Sequence, residues 1–191
     1  GSIGITGSDG RIRNRSFMIA PDGVVAARYD KIHLFDVDLG EGRVYRESAT
    51  ITPGTKAVIS PCVEGSIGLS ICYDLRFAAL YRTYAQAGAD MLAVPAAFTK
   101  VTGEAHWHVL QRARAIENGA YVIAPGQCGT LSGGSQCYGH SLIVDPWGRV
   151  LGDGGETEGF IIADVDLEQV QLTRSRIPSL RHDRAFAPPV A

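Results

Sequence analysis

The chain has 191 residues, 45% hydrophobic and 20% charged, and its 18 basic side chains against 20 acidic ones leave a net charge of −2. That balance, with no long block of like charge, gives no electrostatic reason to bind nucleic acid or an anionic membrane and favours small-molecule partners. No run of about 20 apolar residues is present, and Gly1-Ser2-Ile3-Gly4 has neither a basic n-region nor an apolar h-region. A single domain over residues 1–191, cytoplasmic and burying about 70% of its unfolded surface, is expected.

In chain order, residues 15–20 and 24–29 are β-rich runs around Pro21-Asp22-Gly23, which reads as a hairpin turn. Residues 36–56 carry Gly40, Gly42, Pro53 and Gly54 without periodicity, a long surface loop of the kind that often carries function. Residues 67–71 form a strand. Phe77, Leu80, Tyr81 and Tyr84 then recur at helical spacing until Gly88 stops the helix, and residues 91–94 are the next buried strand. This strand–helix–strand unit carries Cys72 and the loop after Pro95 on its carboxyl edge, where ligands sit in α/β sheets.

Thr102 is placed as the cap of a helix over 104–117, with Trp107, Leu110, Ala113 and Ile116 along its apolar side. Residues 121–124, 141–144 and 160–165 read as strands, Asp145-Pro146-Trp147-Gly148 as a type I turn, and residues 185–191 as an extended arm. The cysteines, Cys62, Cys72, Cys128 and Cys137, have no framework spacing, so reduced thiols are expected. Cys128, Cys137 and His140 offer three soft ligands but no fourth at zinc-like spacing, and no metal site is predicted.

Residues 68–77, Gly-Leu-Ser-Ile-Cys-Tyr-Asp-Leu-Arg-Phe, break from an apolar strand into a polar turn and then a helix. A side chain leaving a buried strand at such a junction is held by the sheet, and the backbone N–H groups of the turn face the space where an oxyanion would form. Cys72 at this place suits a nucleophile, although a buried core cysteine would show the same local pattern.

A second segment, Tyr29-Asp30-Lys31-Ile32-His33-Leu34-Phe35-Asp36, lies upstream, with Glu47 between the two. Together with Pro95-Ala96-Ala97-Phe98, Thr102-Gly103, Ala105-His106-Trp107, Arg112-Ala113-Arg114-Ala115-Ile116-Glu117, Tyr138-Gly139-His140-Ser141 and Asp145-Pro146-Trp147-Gly148, these segments resemble the nitrilase or carbon–nitrogen hydrolase superfamily over nearly the whole chain. The likeness is greatest to its deaminated glutathione amidase and omega-amidase branches, with residues 124–129, Ala-Pro-Gly-Gln-Cys-Gly, nearer the former. Many relatives carry Pro-Glu where this chain has Ala78-Ala79.

The resemblance implies an α/β fold, a four-layer α-β-β-α sandwich of two packed sheets flanked by helices, paired into a homodimer. It also implies hydrolysis of the terminal amide of a small carboxylated substrate to acid and ammonia through a thioester on Cys72, with no cofactor. Lys31 then favours the thiolate and, with the backbone N–H of Tyr73, stabilises the oxyanion, while Glu47 supports the lysine. Arg76 and Thr102 contact substrate, Arg76 pairing bidentately with its carboxylate unless it is tied to Asp74 or Glu117, and His33 is structural. The family's acid–base glutamate precedes the lysine segment by more residues than this chain has there. The chain is therefore expected to lack an amino-terminal strand–helix portion and to be nearly inactive alone. A catalytically dead fragment or scaffold subunit is the alternative.

Overall fold

The structure is a computed structural model describing residues 1–190. Three strands, β1 (Ser2–Thr6), β2 (Ile12–Ile19) and β3 (Val25–Asp30), form an antiparallel sheet in that order. The turn between β2 and β3 is the predicted hairpin: Gly23 N–H donates to Ala20 O at 2.9 Å, Val24 N–H to the Asp22 carboxylate at 3.0 Å, and Gly23 sits at φ +84°, where a side chain would be strained. The segment read as a loop contains a small hairpin of β4 (Asp36–Asp38) and β5 (Val44–Arg46).

The second sheet contains β6 (Val58–Pro61) and β7 (Ser66–Leu69), then β8 (Met91–Ala93) beyond helix α1 (Ala78–Gln86). Helix α2 (Lys100–Asn118) leads to β9 (Tyr121–Ala124). A short hairpin of β10 (Cys128–Thr130) and β11 (Gln136–Tyr138) stands apart. Then come β12 (Leu142–Val144), β13 (Val150–Asp153) and helix α3 (Glu168–Arg176). The six-stranded order is β13-β12-β9-β8-β7-β6, with β7, β8 and β9 parallel and the rest antiparallel. Parallel neighbours need crossovers, and α1 and α2 supply them.

Alternation along these strands builds two apolar layers. Leu92, Val122, Ala124, Leu142 and Val144 face Tyr81, Tyr84 and Trp107 of the helices, while Ile67, Leu69, Met91 and Tyr121 pack against Tyr29, Met18 and Ala27 of the three-stranded sheet. Among the described residues this gives the helix, sheet and sheet layers of the predicted sandwich. Helix α3 lies at the edge, where Arg174 donates to Asn118 O and Ala89 O.

Three readings of the sequence need correction. Helix α2 begins at Lys100 with Thr99 at its cap, so Thr102 lies in the first turn, its hydroxyl 2.7 Å from that of Thr99. Its buried side runs through Gly103, Trp107, Gln111, Arg114 and Asn118, whereas Ile116 is 50% exposed. Arg114 can be buried because its guanidinium donates to Leu75 O and the Glu117 carboxylate. Residues 160–165 form no strand: Phe160 and Ile162 are exposed, and no described neighbour pairs with their backbone. Residues 185–190 of the expected arm carry no helix or strand, and residue 191 lies outside the described residues.

Helix α2 approaches β11 closely at Gly103, where a Cβ would stand 2.3 Å from Cβ and Cγ of Tyr138. On an open helix surface alanine would gain about 1 kcal/mol over glycine, but overpacking a tight contact costs about 1–3 kcal/mol, and here the contact wins. Gly103→Ala is expected to lower the urea midpoint without changing the m-value.

Candidate active site

The carboxyl ends of β7, β8 and β9 open into a cavity of about 900 Å³. Ile71, Cys72 and Tyr73 line it from the chain after β7, Pro95 to Thr99 from the chain after β8, and Pro125, Gly126 and Gln127 from the chain after β9. Asn14, Lys31, Phe35, Tyr45 and Glu47 close it from the side of the other sheet and its loops, and Thr102 and Ser141 complete it. The parallel strands thus aim their following turns at one space, and the predicted Cys72, Lys31, Glu47, Tyr73 and Thr102 converge there.

Cys72 is the first residue of a 3₁₀ turn, Cys72–Arg76. Sheet pairing persists to the turn itself, since Ser70 N–H donates to Ala93 O at 3.1 Å and Cys72 N–H to Pro95 O at 2.9 Å. The chain then reverses with Cys72 at φ +51°, a conformation that costs a non-glycine residue about 1–2 kcal/mol. Such strain is tolerated where it aims a functional side chain. Among the described residues nothing accepts the Tyr73 N–H, which suits an oxyanion donor.

Lys31 is 3% exposed, and its Nζ lies 2.6 Å from Glu47 Oε2. The same oxygen accepts Phe35 N–H at 2.6 Å, and Oε1 accepts Asn14 Nδ2 at 3.4 Å. A carboxylate faces this buried side chain, and the pairing offsets part of the cost of taking both charges out of water. Burial pushes the Cys72 thiol up from its ordinary value; the Lys31 charge pulls it back down, and the Glu47 and Asp74 carboxylates oppose that pull. The net direction is upward: Lys31 favours the thiolate, as expected, but burial outweighs one cation that is itself largely neutralised.

Asp74 is the residue that the sequence reading missed. Fully buried, it accepts Tyr29 OH at 2.7 Å, Ile71 N–H at 2.9 Å and His33 N–H at 3.0 Å, with His33 Nδ1 at 2.7 Å. Its own N–H donates back to Ile71 O. The signal was local: an Asp three residues after Ile71, at the start of a turn, is placed for reciprocal capping. His33 stacks on Phe77 at 3.6 Å, so its ring is held by Asp74 and Phe77.

Arg76 pairs with neither Asp74 nor Glu117. Its guanidinium lies 3.3 Å from His106 Nδ1 and over the rings of Tyr73 and Phe98, both of which line the cavity, while Arg76 itself stands outside that lining. No carboxylate among the described residues faces it. Trp107, read as packing, is buried and donates Nε1–H to His140 O. All four cysteines are free. His140 does not gather with Cys128 and Cys137; it meets His108 and Asp153 instead.

The carbon-nitrogen hydrolase family model matches residues 1–175. The chain belongs to this family. Carbon-nitrogen hydrolases similar to it include a deaminated glutathione amidase of Synechocystis sp., 48% identical over 93% of this chain and 66% of that protein, and the omega-amidase NIT2 of Homo sapiens, 39% identical over 92% and 64%. The chain thus spans just under two thirds of their length. Of solved structures, Nit3 of Saccharomyces cerevisiae, described as a nitrilase superfamily member, matches with a TM-score of 0.84 at 35% identity, covering 93% of this chain and 62% of that one. An amidase of Nesterenkonia sp. AN1 with the acetamide moiety of fluoroacetamide added covalently at its active-site cysteine matches with a TM-score of 0.78 at 26% identity, covering 96% and 63%. The nitrilase fold is shown.

The balance of charges around the thiol can be read from its alkylation. The rate of Cys72 modification by iodoacetamide should rise with pH to a midpoint above that of free cysteine, because the neutral thiol is favoured until bulk pH overcomes desolvation. Lys31→Met should move that midpoint further up. A midpoint unchanged in the variant would show that the ammonium does not act on the sulfur.

Proposed function

We propose that the protein hydrolyses the terminal amide of a small carboxylated substrate, of the deaminated glutathione or omega-amide type, to carboxylic acid and ammonia. The observation that carries this reading is the convergence of Cys72, the buried Lys31–Glu47 pair and the uncommitted Tyr73 N–H in one cavity at the carboxyl ends of parallel strands. The names of the amidase relatives and the cysteine adduct of the Nesterenkonia enzyme support it.

Amide carbonyls are poor electrophiles, so the sulfur must attack as a thiolate, its proton passing to a carboxylate base that later gives it to the leaving nitrogen. Attack joins Sγ to the carbonyl carbon and places the negative charge on oxygen, where the Tyr73 N–H and the Lys31 ammonium receive it; one such donor is worth about 3–4 kcal/mol. Ammonia departs with a proton, leaving a thioester, and water then cleaves it to release the acid. Both proton transfers suit a carboxyl group. Glu47 is the carboxylate lining the cavity among the described residues, and Lys31, Phe35 and Asn14 already engage it. The family resemblance gives those transfers to a further glutamate and leaves Glu47 in support.

Arg76 is assigned to the substrate carboxylate. Its guanidinium has no carboxylate of its own and leans on two rings of the cavity wall, so it can turn from His106 to a ligand at the rim. Thr102, in the first turn of α2, supplies a hydroxyl on the same side. No described helix is long and apolar enough to cross a membrane. A cytoplasmic homodimer is part of the same reading; the exposed Val109, Ile116 and Trp147 on and beside α2 support the pairing of subunits alone.

In the complete protein Cys72→Ala should abolish ammonia release, and mass spectrometry of the unaltered protein should trap an acyl adduct on Cys72 alone. An adduct on Cys128 or Cys137 would refute the nucleophile. Adduct formation without turnover by the 191-residue chain would favour the scaffold reading, and full turnover would make Glu47 the base. Arg76→Lys should cut kcat/KM by at least about tenfold for carboxylated amides and little for neutral ones, since an ammonium cannot reproduce the fork. Equal losses for both classes would make Arg76 structural.

A further inference from the structure

A second cluster of chemistry-bearing side chains lies outside the cavity lining, where α2, the chain after β11 and the end of β13 meet. His108 Nε2 stands 2.9 Å from Asp153 Oδ2, and His140 Nδ1 stands 2.8 Å from Asp153 Oδ1. Their ligand atoms all lie within 4.8 Å of one another. Donors held about 2.0–2.2 Å from a tetrahedral zinc-sized ion are about 3.3–3.6 Å apart, so the two contacts to Asp153 would lengthen by about half an ångström to admit an ion between these three groups.

We propose that His108, His140 and Asp153 form a site for one borderline divalent cation of the Zn²⁺ class, which clamps α2 to β13 behind the cavity wall. Two imidazoles and a carboxylate suit Zn²⁺, Co²⁺ or Ni²⁺ rather than the oxygen-seeking Mg²⁺ or Ca²⁺. The frame is already set. His140 is held at φ +51°, its N–H donates to Gly155 O, its carbonyl accepts Trp107 Nε1–H, and its ring stacks on Tyr138 at 4.4 Å. Asp153 also accepts Gly155 N–H at 2.9 Å, which orients the carboxylate.

All three side chains are partly exposed, so an ion can enter and water can fill the remaining positions. Binding would exchange the two imidazole–carboxylate hydrogen bonds for metal bonds. Each neutral ring carries its proton on the opposite nitrogen, and a ring that starts protonated gives one proton to solvent. The clamp would steady Ser141, next to His140, whose Oγ accepts Gly126 N–H in the cavity wall. The site needs neither the thiol nor the amide chemistry proposed above.

The test titrates the protein with Co²⁺ and follows visible d–d absorption, then displaces the ion with Zn²⁺. One equivalent should saturate, without the near-ultraviolet band of a cobalt–thiolate bond, and Zn²⁺ at about 100 times its Kd should raise Tm by about 5–10 °C. At the same Zn²⁺ concentration His108→Gln and Asp153→Asn should each weaken binding at least about tenfold and cut the Tm rise by about half or more, with far-ultraviolet circular dichroism unchanged. The proposal fails if no saturable binding is seen, if both variants bind as before, or if a thiolate band places the ion on Cys62, Cys128 or Cys137.

Discussion

The buried carboxylate of Asp74 ties the two halves of the candidate site together. It takes hydrogen bonds from Tyr29 and His33, which flank Lys31, and from Ile71, which precedes Cys72. The cation and the nucleophile come from different sheets, so their relation depends on a link between those sheets. Apolar packing of Tyr29 against Ile67 and Leu69 holds the sheets face to face, but such packing is non-directional. Oriented hydrogen bonds supply the register. Each donor left without its acceptor in this dry place would cost about 1–3 kcal/mol, so the arrangement is all-or-none. The same environment keeps the Tyr29 hydroxyl protonated, through burial first and the Asp74 charge second.

The remaining geometry follows from parallel strands. Because β7, β8 and β9 run the same way, the three turns that leave them stack at one end, and each contributes wall to the cavity. Gly68 lets Tyr84 of α1 lie against β7, where a Cβ would come within 2.7 Å of the ring, and Tyr84 in turn donates its hydroxyl to Leu69 O. Helix and strand therefore meet closely just beneath the nucleophile turn.

Much of this was legible in the sequence, and the reasons differ by residue. The strands around residues 67–71, 91–94 and 121–124 announced themselves because buried parallel strands are short apolar runs between breakers. Cys72 stood out where an apolar strand breaks into a turn, but Lys31 and Glu47 came through motif resemblance, since neither periodicity nor composition brings Lys31 to Cys72. The buried face of α2 was misread because Gln111 and Arg114 are polar by type, and only the third dimension shows Arg114 satisfied by Leu75 O and Glu117. Residues 160–165 alternate like a strand, yet alternation describes a face, and a strand also needs a neighbour to bond. Asp74 escaped because its local signal, a capping position three residues after Ile71, says nothing of its partners distant along the chain, Tyr29 and His33.

The hydrogen bond from Cys72 N–H to Pro95 O has a further chemical consequence. In many acyl-transfer sites the nucleophile's own amide helps hold the developing negative oxygen, but here that amide is already committed to the sheet. In the proposed reaction the oxygen is then received by one neutral dipole, from Tyr73, and one full positive charge, from Lys31. Such an asymmetric receptor would grip a charge more strongly than a pair of amides, so the proposed chemistry leans on a single side chain where other sites share the load between two amides.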